Sequence, residues 1–181
     1  MQRLFVALSL PAYAREALDR LREPERGIRW IVPENFHLTL FFLGEVEGDL
    51  ATKLREHLRA IEVAPFFLPV QGVGHFPPKG RPTVLWAGVG GGHPHLFQLR
   101  QRLADLFFRF GFDPGERAWT PHVTLARCGG VSEETVRQWE KKNRDFETAP
   151  VRIEDFSLFA SERRGPRRLY PLVETFPLAT R

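Results

Sequence analysis

FHLTLFFLGEV (36–46) and PHVTLARCGGV (121–131) are the two stretches on which the reading of this chain turns. Set against each other at an offset of 85, they match at His, Thr, Leu, Gly and Val. Each reads as a strand, and the elements around each follow the same order. In the first half, apolar residues 3–10 form a strand, and 11–23 a helix with Tyr13, Ala14, Ala17, Leu18 and Leu21 on one face. The motif strand closes at Gly44, Asp49 is expected to cap a helix carrying Leu50, Leu54, Leu58 and Ile61, and 66–76 is expected to be a third strand. In the second half, 83–89 is a strand, and a helix bearing Leu96, Leu99, Leu103, Leu106, Phe107 and Phe110 stops at Gly111. The second motif strand covers 122–128, Ser132 caps a helix, and 151–160 and 168–178 are final strands joined by the arginine-rich 163–168. The offset also sets Phe66 on Val151, where the third strand of each half begins.

Shared residues together with shared element order indicate an internal duplication. The expected fold is α+β: one unit over 1–181 made of two pseudo-symmetric lobes, about 1–80 and about 81–181, with room for an exchange of terminal strands.

Strand side chains alternate faces, so His37 and Thr39 point one way, as do His122 and Thr124. Leu38 and Val123 turn to the opposite side, under the helices. A twofold arrangement brings two imidazoles and two hydroxyls into one cleft. That set suits displacement at phosphorus without metal. The attacking oxygen must lose a proton and the leaving oxygen must gain one, and histidine does either near neutral pH. Threonine hydroxyls can hold the non-bridging oxygens. A single His-x-Thr on a strand is most simply structural; two at equivalent repeat positions are not.

These residues and their flanks resemble the two-histidine (2H) phosphoesterase superfamily. HLTL at 37–40 and HVTL at 122–125 match its paired motifs, and RLFVALSLP, VPENF, GVGHFPP and VLWAGV are similar to the RNA 2′,3′-cyclic phosphodiesterase branch, also named 2′-5′ RNA ligase (LigT/ThpR). The resemblance spans essentially the whole chain. It implies a bilobal α+β fold, each lobe a mainly antiparallel sheet with helices outside and the active site in the cleft between lobes, and metal-free, cofactor-free hydrolysis of RNA 2′,3′-cyclic phosphate ends to 2′-phosphomonoesters. It assigns His37 as proton donor, His122 as proton acceptor, and Thr39 and Thr124 to the phosphate oxygens. From the residues alone, either histidine could take either role. Arg127 matches a basic residue of the second motif that contacts phosphate. Strict alternation would turn it away from His122, so a bulge, a twist or a long reach is needed. Phe42 stands at that place in the first repeat. Ligation of a 5′-hydroxyl RNA to the cyclic end would need the same residues, and a non-catalytic basic RNA-binding module would need only the charge.

Composition bounds the rest. The 181 residues carry a net charge of +4, from 22 Arg and 4 Lys against 22 acidic side chains. Arginine grips phosphate bidentately, which fits an RNA partner, while arginine-favouring codon usage or heat adaptation explains the excess equally well. The single Cys128 forms no intramolecular disulfide and reads as a small apolar residue; His93 and His95 lack nearby carboxylates for a metal. Gly88, Gly90, Gly91 and Gly92 read as a turn rather than a dinucleotide loop. His75 is a weaker candidate for the cleft, and Trp30, Trp86 and Trp119 are expected in the core, with one or two aromatics free to stack on a base. No apolar run reaches membrane-spanning length, and MQRLFVALSLP runs on into charged sequence, so a monomeric cytoplasmic protein is expected.

Overall fold

The computed structural model describes residues 1–113, 118–165 and 167–179, with the side chain of Arg167 outside that set. The chain runs β1 (Gln2–Ser9), α1 (Ala12–Asp19), β2 (Ile28–Trp30), a 3-10 turn (Pro33–Asn35), β3 (His37–Val46), α2 (Gly48–Leu58), β4 (Phe66–Leu68) and β5 (Val73–Phe76). It continues through β6 (Val84–Ala87), α3 (Pro94–Arg109), β7 (Val123–Cys128), α4 (Glu133–Asn143), β8 (Val151–Ile153), β9 (Asp155–Ala160), β10 (Glu162–Arg164), β11 (Arg167–Leu169) and β12 (Leu172–Pro177).

The main sheet has the order β12-β9-β1-β3-β7-β6-β5, with β2 also on β7, and every pairing is antiparallel. Its two halves meet through one residue pair, Leu38 opposite Val123. β4 and β8 form a separate two-stranded sheet in which Phe67 lies opposite Arg152. Both pairs join residues 85 apart. A residue faces its own repeat equivalent only on a twofold axis, so these two pairs mark the axis relating the repeats. The third strands cross it: β5, from the first half of the chain, pairs with β6, while β9, from the second, pairs with β1.

One face of the sheet is packed by the helices. Leu4, Val6, Leu8, Leu38 and Leu40 join Leu85, Val123 and Leu125 in a single apolar cluster with helix residues such as Leu18, Leu54, Leu103 and Val136. α3 alone buries Leu96, Leu99, Leu103, Ala104, Leu106 and Phe107, at about 1.5–3 kcal/mol for each large apolar side chain. It ends where the sequence places its stop. Gly111 takes φ +85, its amide bonds the Phe108 carbonyl, and the Phe112 amide bonds that of Phe107. α4 starts at Ser132, whose hydroxyl accepts from the Thr135 amide.

Several boundaries differ from those expected. Residues 66–76 are not one strand: β4 ends at Leu68, Gly72 takes φ +73, and β5 joins a different sheet from β4. Residues 151–160 divide at Glu154 in the same way, and 168–178 divides at Tyr170–Pro171, where β11 folds back on β10. α1 stops at Asp19, four residues short of the expected end. Asp49 is not the cap of α2; Glu47 holds that position without a side-chain bond, and Asp49 sits in the first turn, where the helix dipole favours it. β2 was not anticipated, because three residues show no alternation.

Candidate active site

A matched pair of bulges builds the open face of the sheet. Between Val6 and Ala7 the β1–β3 register skips Leu40; between Leu85 and Trp86 the β6–β7 register skips Leu125. The skipped residues are repeat equivalents. An extra residue shifts the alternation by one, so Leu40 and Phe41 are both buried on the helix side, as are Leu125 and Ala126. Beyond the bulge the outward positions become Phe42 and Arg127, on the same face as His37, Thr39, His122 and Thr124. Phe42 is 68% exposed, and Arg127 is also exposed. The sequence alone left a bulge, a twist or reach as ways to turn Arg127 toward His122; the observed device is the bulge at Leu125.

Backbone carbonyls orient both imidazoles. His37 donates from Nδ1–H to the Asn35 carbonyl at 2.7 Å, and His122 donates from Nδ1–H to the Thr120 carbonyl at 2.8 Å. Asn35 and Thr120 are themselves repeat equivalents. A carbonyl can only accept, so Nδ1 carries the proton in each ring, which leaves Nε2 the unprotonated nitrogen of the neutral imidazole.

Aromatic rings pack around each histidine. Phe5 lies 5.0 Å from His37, centroid to centroid, and Tyr170 meets it edge-on at 5.1 Å; Phe76 meets His122 edge-on at 4.9 Å. Phe159 stacks 6.3 Å from His37 and occupies in its lobe the sheet position of Phe76 in the other, since Phe5 opposes Phe159 and Val84 opposes Phe76. The floor of the two lobes differs. Trp86 lies over Gly74, where a Cβ would overlap the indole, while the matching positions of the other lobe are Ala7 and Ser157.

Burial pushes both histidines below the ordinary value of 6.5. For His37 the Asn35 carbonyl pulls partly back up, and charge on His122 pushes it lower. For His122 the Thr120 carbonyl raises it, and the Arg127 guanidinium lowers it. The two imidazoles therefore resist carrying two protons at once. One groove beside His37 is lined by Arg15, Glu34, Asn35, Phe159 and Tyr170, and a second beside Arg127 by Gly27, Ile28, Arg29 and Cys128.

The remaining candidates fall elsewhere. His75 is buried on the helix side and pairs with Glu140 of α4 at 2.6 Å, so it does not line the cleft. His93 caps α3, accepting from the His95 amide, and stacks on Phe66. Trp30 bonds the Glu23 carbonyl beside Trp139, as a core residue would; Trp119 bonds the Thr39 carbonyl; Trp86 faces His122 rather than the core. Among the described residues no three His, Cys, Asp or Glu side chains group as a metal site. Sequence reasoning did not single out Tyr170, Phe159 or Phe76. Only the strand exchange brings them to the histidines, although the matched third strands hinted at the two phenylalanines.

Two His-x-Thr strands meeting on a twofold axis, with both imidazoles on the face of the sheet away from the helices, are the arrangement of a two-histidine phosphoesterase. The chain belongs to the LigT-like phosphoesterase family, whose model matches residues 8–86 and 90–170. It is 35% identical over 156 residues to the RNA 2′,3′-cyclic phosphodiesterase of Aeropyrum pernix, covering 82% of this chain and 89% of that one. It is 30% identical to the protein of the same description from Aquifex aeolicus, over 97% of both. Among solved structures, Escherichia coli LigT in apo form superposes with a TM-score of 0.83 at 27% identity, over 99% of this chain and 98% of that one. The same LigT has been solved in complex with 3′-AMP, with a TM-score of 0.80 at 27% identity over 99% of both chains.

Proposed function

We propose that this protein hydrolyses RNA 2′,3′-cyclic phosphate ends to 2′-phosphomonoesters, with its two histidines as acid and base. The observation that carries the reading is the symmetric presentation of the two imidazoles, each with Nδ1–H held by a carbonyl two residues earlier. Relatives named RNA 2′,3′-cyclic phosphodiesterase support the substrate.

The cyclic phosphodiester anion enters the open face between the lobes. The hydroxyls of Thr39 and Thr124 and the guanidinium of Arg127 hold its non-bridging oxygens, where negative charge concentrates in the transition state. In the empty site burial favours two neutral imidazoles, and the bound anion draws one proton into the pair. His122, beside the cationic Arg127, stays neutral and takes a proton from water at Nε2. The hydroxide oxygen bonds to phosphorus as the bond to the 3′ oxygen breaks, and His37 gives its Nε2 proton to that oxygen. The proton gained by His122 and lost by His37 exchange with solvent, which restores the site. No metal or cofactor takes part in this scheme. Both histidines come from one chain, so a monomer completes the site, and the cytoplasm, where RNA ends are processed, is its proposed setting. Among the described residues no helix is long and apolar enough to cross a membrane.

The test is hydrolysis of a short RNA ending in a 2′,3′-cyclic phosphate, in 18O-water with EDTA. One 18O in a 2′-phosphate product is expected. A 3′-phosphate product, a 2′-5′-joined RNA as the main product, or loss of activity on chelation would overturn the scheme.

A further inference from the structure

β10 and β11 form a ribbon outside the main sheet, with Arg163 opposite Arg168 and Arg164 opposite Arg167. The side chains of Arg163, Arg164 and Arg168 are exposed. Arg164 reaches Glu162 only at 3.4 Å with its side chain 74% exposed, and Arg168 reaches the Ser161 hydroxyl at 3.3 Å. Among the described residues, Arg163 has no acidic partner. The like charges of Arg163 and Arg168, opposite each other across the two strands, weaken the pairing, so this ribbon is not arranged for its own stability.

Its base is fastened to the candidate active site. The Asn35 side-chain amide donates to the Arg168 carbonyl at 3.2 Å, while the Asn35 carbonyl accepts from His37. Tyr170, the residue after β11, packs edge-on against His37 and walls the groove beside it. A chain leaving His37 along that groove passes Arg15 and Tyr170 and comes to the ribbon. Among the described residues lining that groove and the ribbon, the acidic groups are Glu34 and Glu162, and Arg164 already offsets Glu162.

We infer that the β10–β11 ribbon binds the phosphodiester backbone of the nucleotides preceding the RNA end, giving the enzyme a preference for oligonucleotides over 2′,3′-cyclic mononucleotides. The inference rests on the proposed cyclic-phosphate reading. Arginine suits it, because its planar fork grips phosphodiester oxygens without regard to sequence. Each phosphate neutralised on a single strand adds about 0.7 to the salt slope of log binding constant against log salt.

The experiment compares the intact chain with Arg163→Gln/Arg164→Gln and Arg163→Glu/Arg164→Glu. Arg168 is left alone because its carbonyl anchors Asn35. Turnover of a cyclic mononucleotide and of a hexanucleotide with a cyclic end is followed from about 50 to 200 mM salt. Binding of a labelled hexanucleotide ending in 2′-phosphate is measured in parallel. The expected result is a hexanucleotide affinity and kcat/KM about tenfold lower in the Gln pair, lower still in the Glu pair, with the salt slope reduced by about 1.4. Mononucleotide turnover stays level and reports an intact fold. Equal hexanucleotide binding and salt slope in all three proteins would overturn the inference and leave a solvated hairpin. Absence of any turnover by the intact chain would sink the cyclic-phosphate reading instead, and the binding arm would still decide the ribbon.

Discussion

Replacing Arg127 by methionine tests how the bulge at Leu125 equips the site. Methionine keeps much of the length and removes the charge. A charge-assisted hydrogen bond contributes about 1.5–3 kcal/mol, and Arg127 is solvent-exposed, so the lower part of that range applies. About 1.5–2 kcal/mol corresponds to roughly a 10- to 30-fold fall in kcat/KM. A second effect separates a phosphate contact from a structural one. The Arg127 charge opposes protonation of His122, so its removal lets the His122 pKa rise toward the ordinary value. With His122 as base, active enzyme needs it neutral, and the acidic limb of the kcat/KM profile must move to higher pH. The assay is kcat/KM on a cyclic-ended oligonucleotide across about pH 4.5–9 for the intact protein, Arg127→Met and Arg127→Lys. Lysine should restore the limb and part of the rate, since it keeps the charge but not the fork. A fall below about threefold, or an acidic limb that stays put or moves down, would refute the placement of Arg127.

Thr39→Val and Thr124→Val should each lower kcat by about 10- to 10³-fold with little change in melting temperature, because both side chains lie on the open face; an unchanged kcat would remove the hydroxyls from the phosphate. Stability should depend on pH through the two histidines. Their folded pKa values lie below 6.5, so below that pH the unfolded chain binds more protons, and stability is lost as pH falls from about 6.5 through the folded values. Melting at pH 7.5 and 5 should differ more in the intact chain than in His37→Gln/His122→Gln, and equal differences would contradict the burial argument. Gly74→Val should displace Trp86, whose indole occupies the space of a Cβ, and destabilise by a few kcal/mol in urea unfolding; a neutral result would mean the β5–β6 hairpin yields freely.

The duplication was legible in the sequence because His, Thr, Leu, Gly and Val recur at one offset and the element order recurs with them. That offset reappears in space, in the pairs Leu38–Val123 and Phe67–Arg152. α3 with its Gly111 stop and α4 with its Ser132 cap were legible from the sequence, whereas α1 and α2 were placed correctly but differ at their ends. What escaped was set by long-range pairing. Whether 66–76 continues as one strand depends on which neighbours accept β4 and β5, and no local pattern records that. The crossing of β5 and β9 between lobes also decides which aromatics reach each histidine, so Tyr170 and Phe159 were invisible one residue at a time. Arg127 lay between the two cases: the sequence posed the alternation problem, and the solution was a one-residue slip.

The most direct test of the central claim is turnover of a 2′,3′-cyclic-ended RNA by the intact protein, His37→Ala and His122→Ala, with EDTA present and products resolved as 2′- or 3′-phosphate. Acid–base roles for both imidazoles predict a 2′-phosphate from the intact protein and a loss of at least about 10² in each variant. Turnover that survives either substitution would contradict the account.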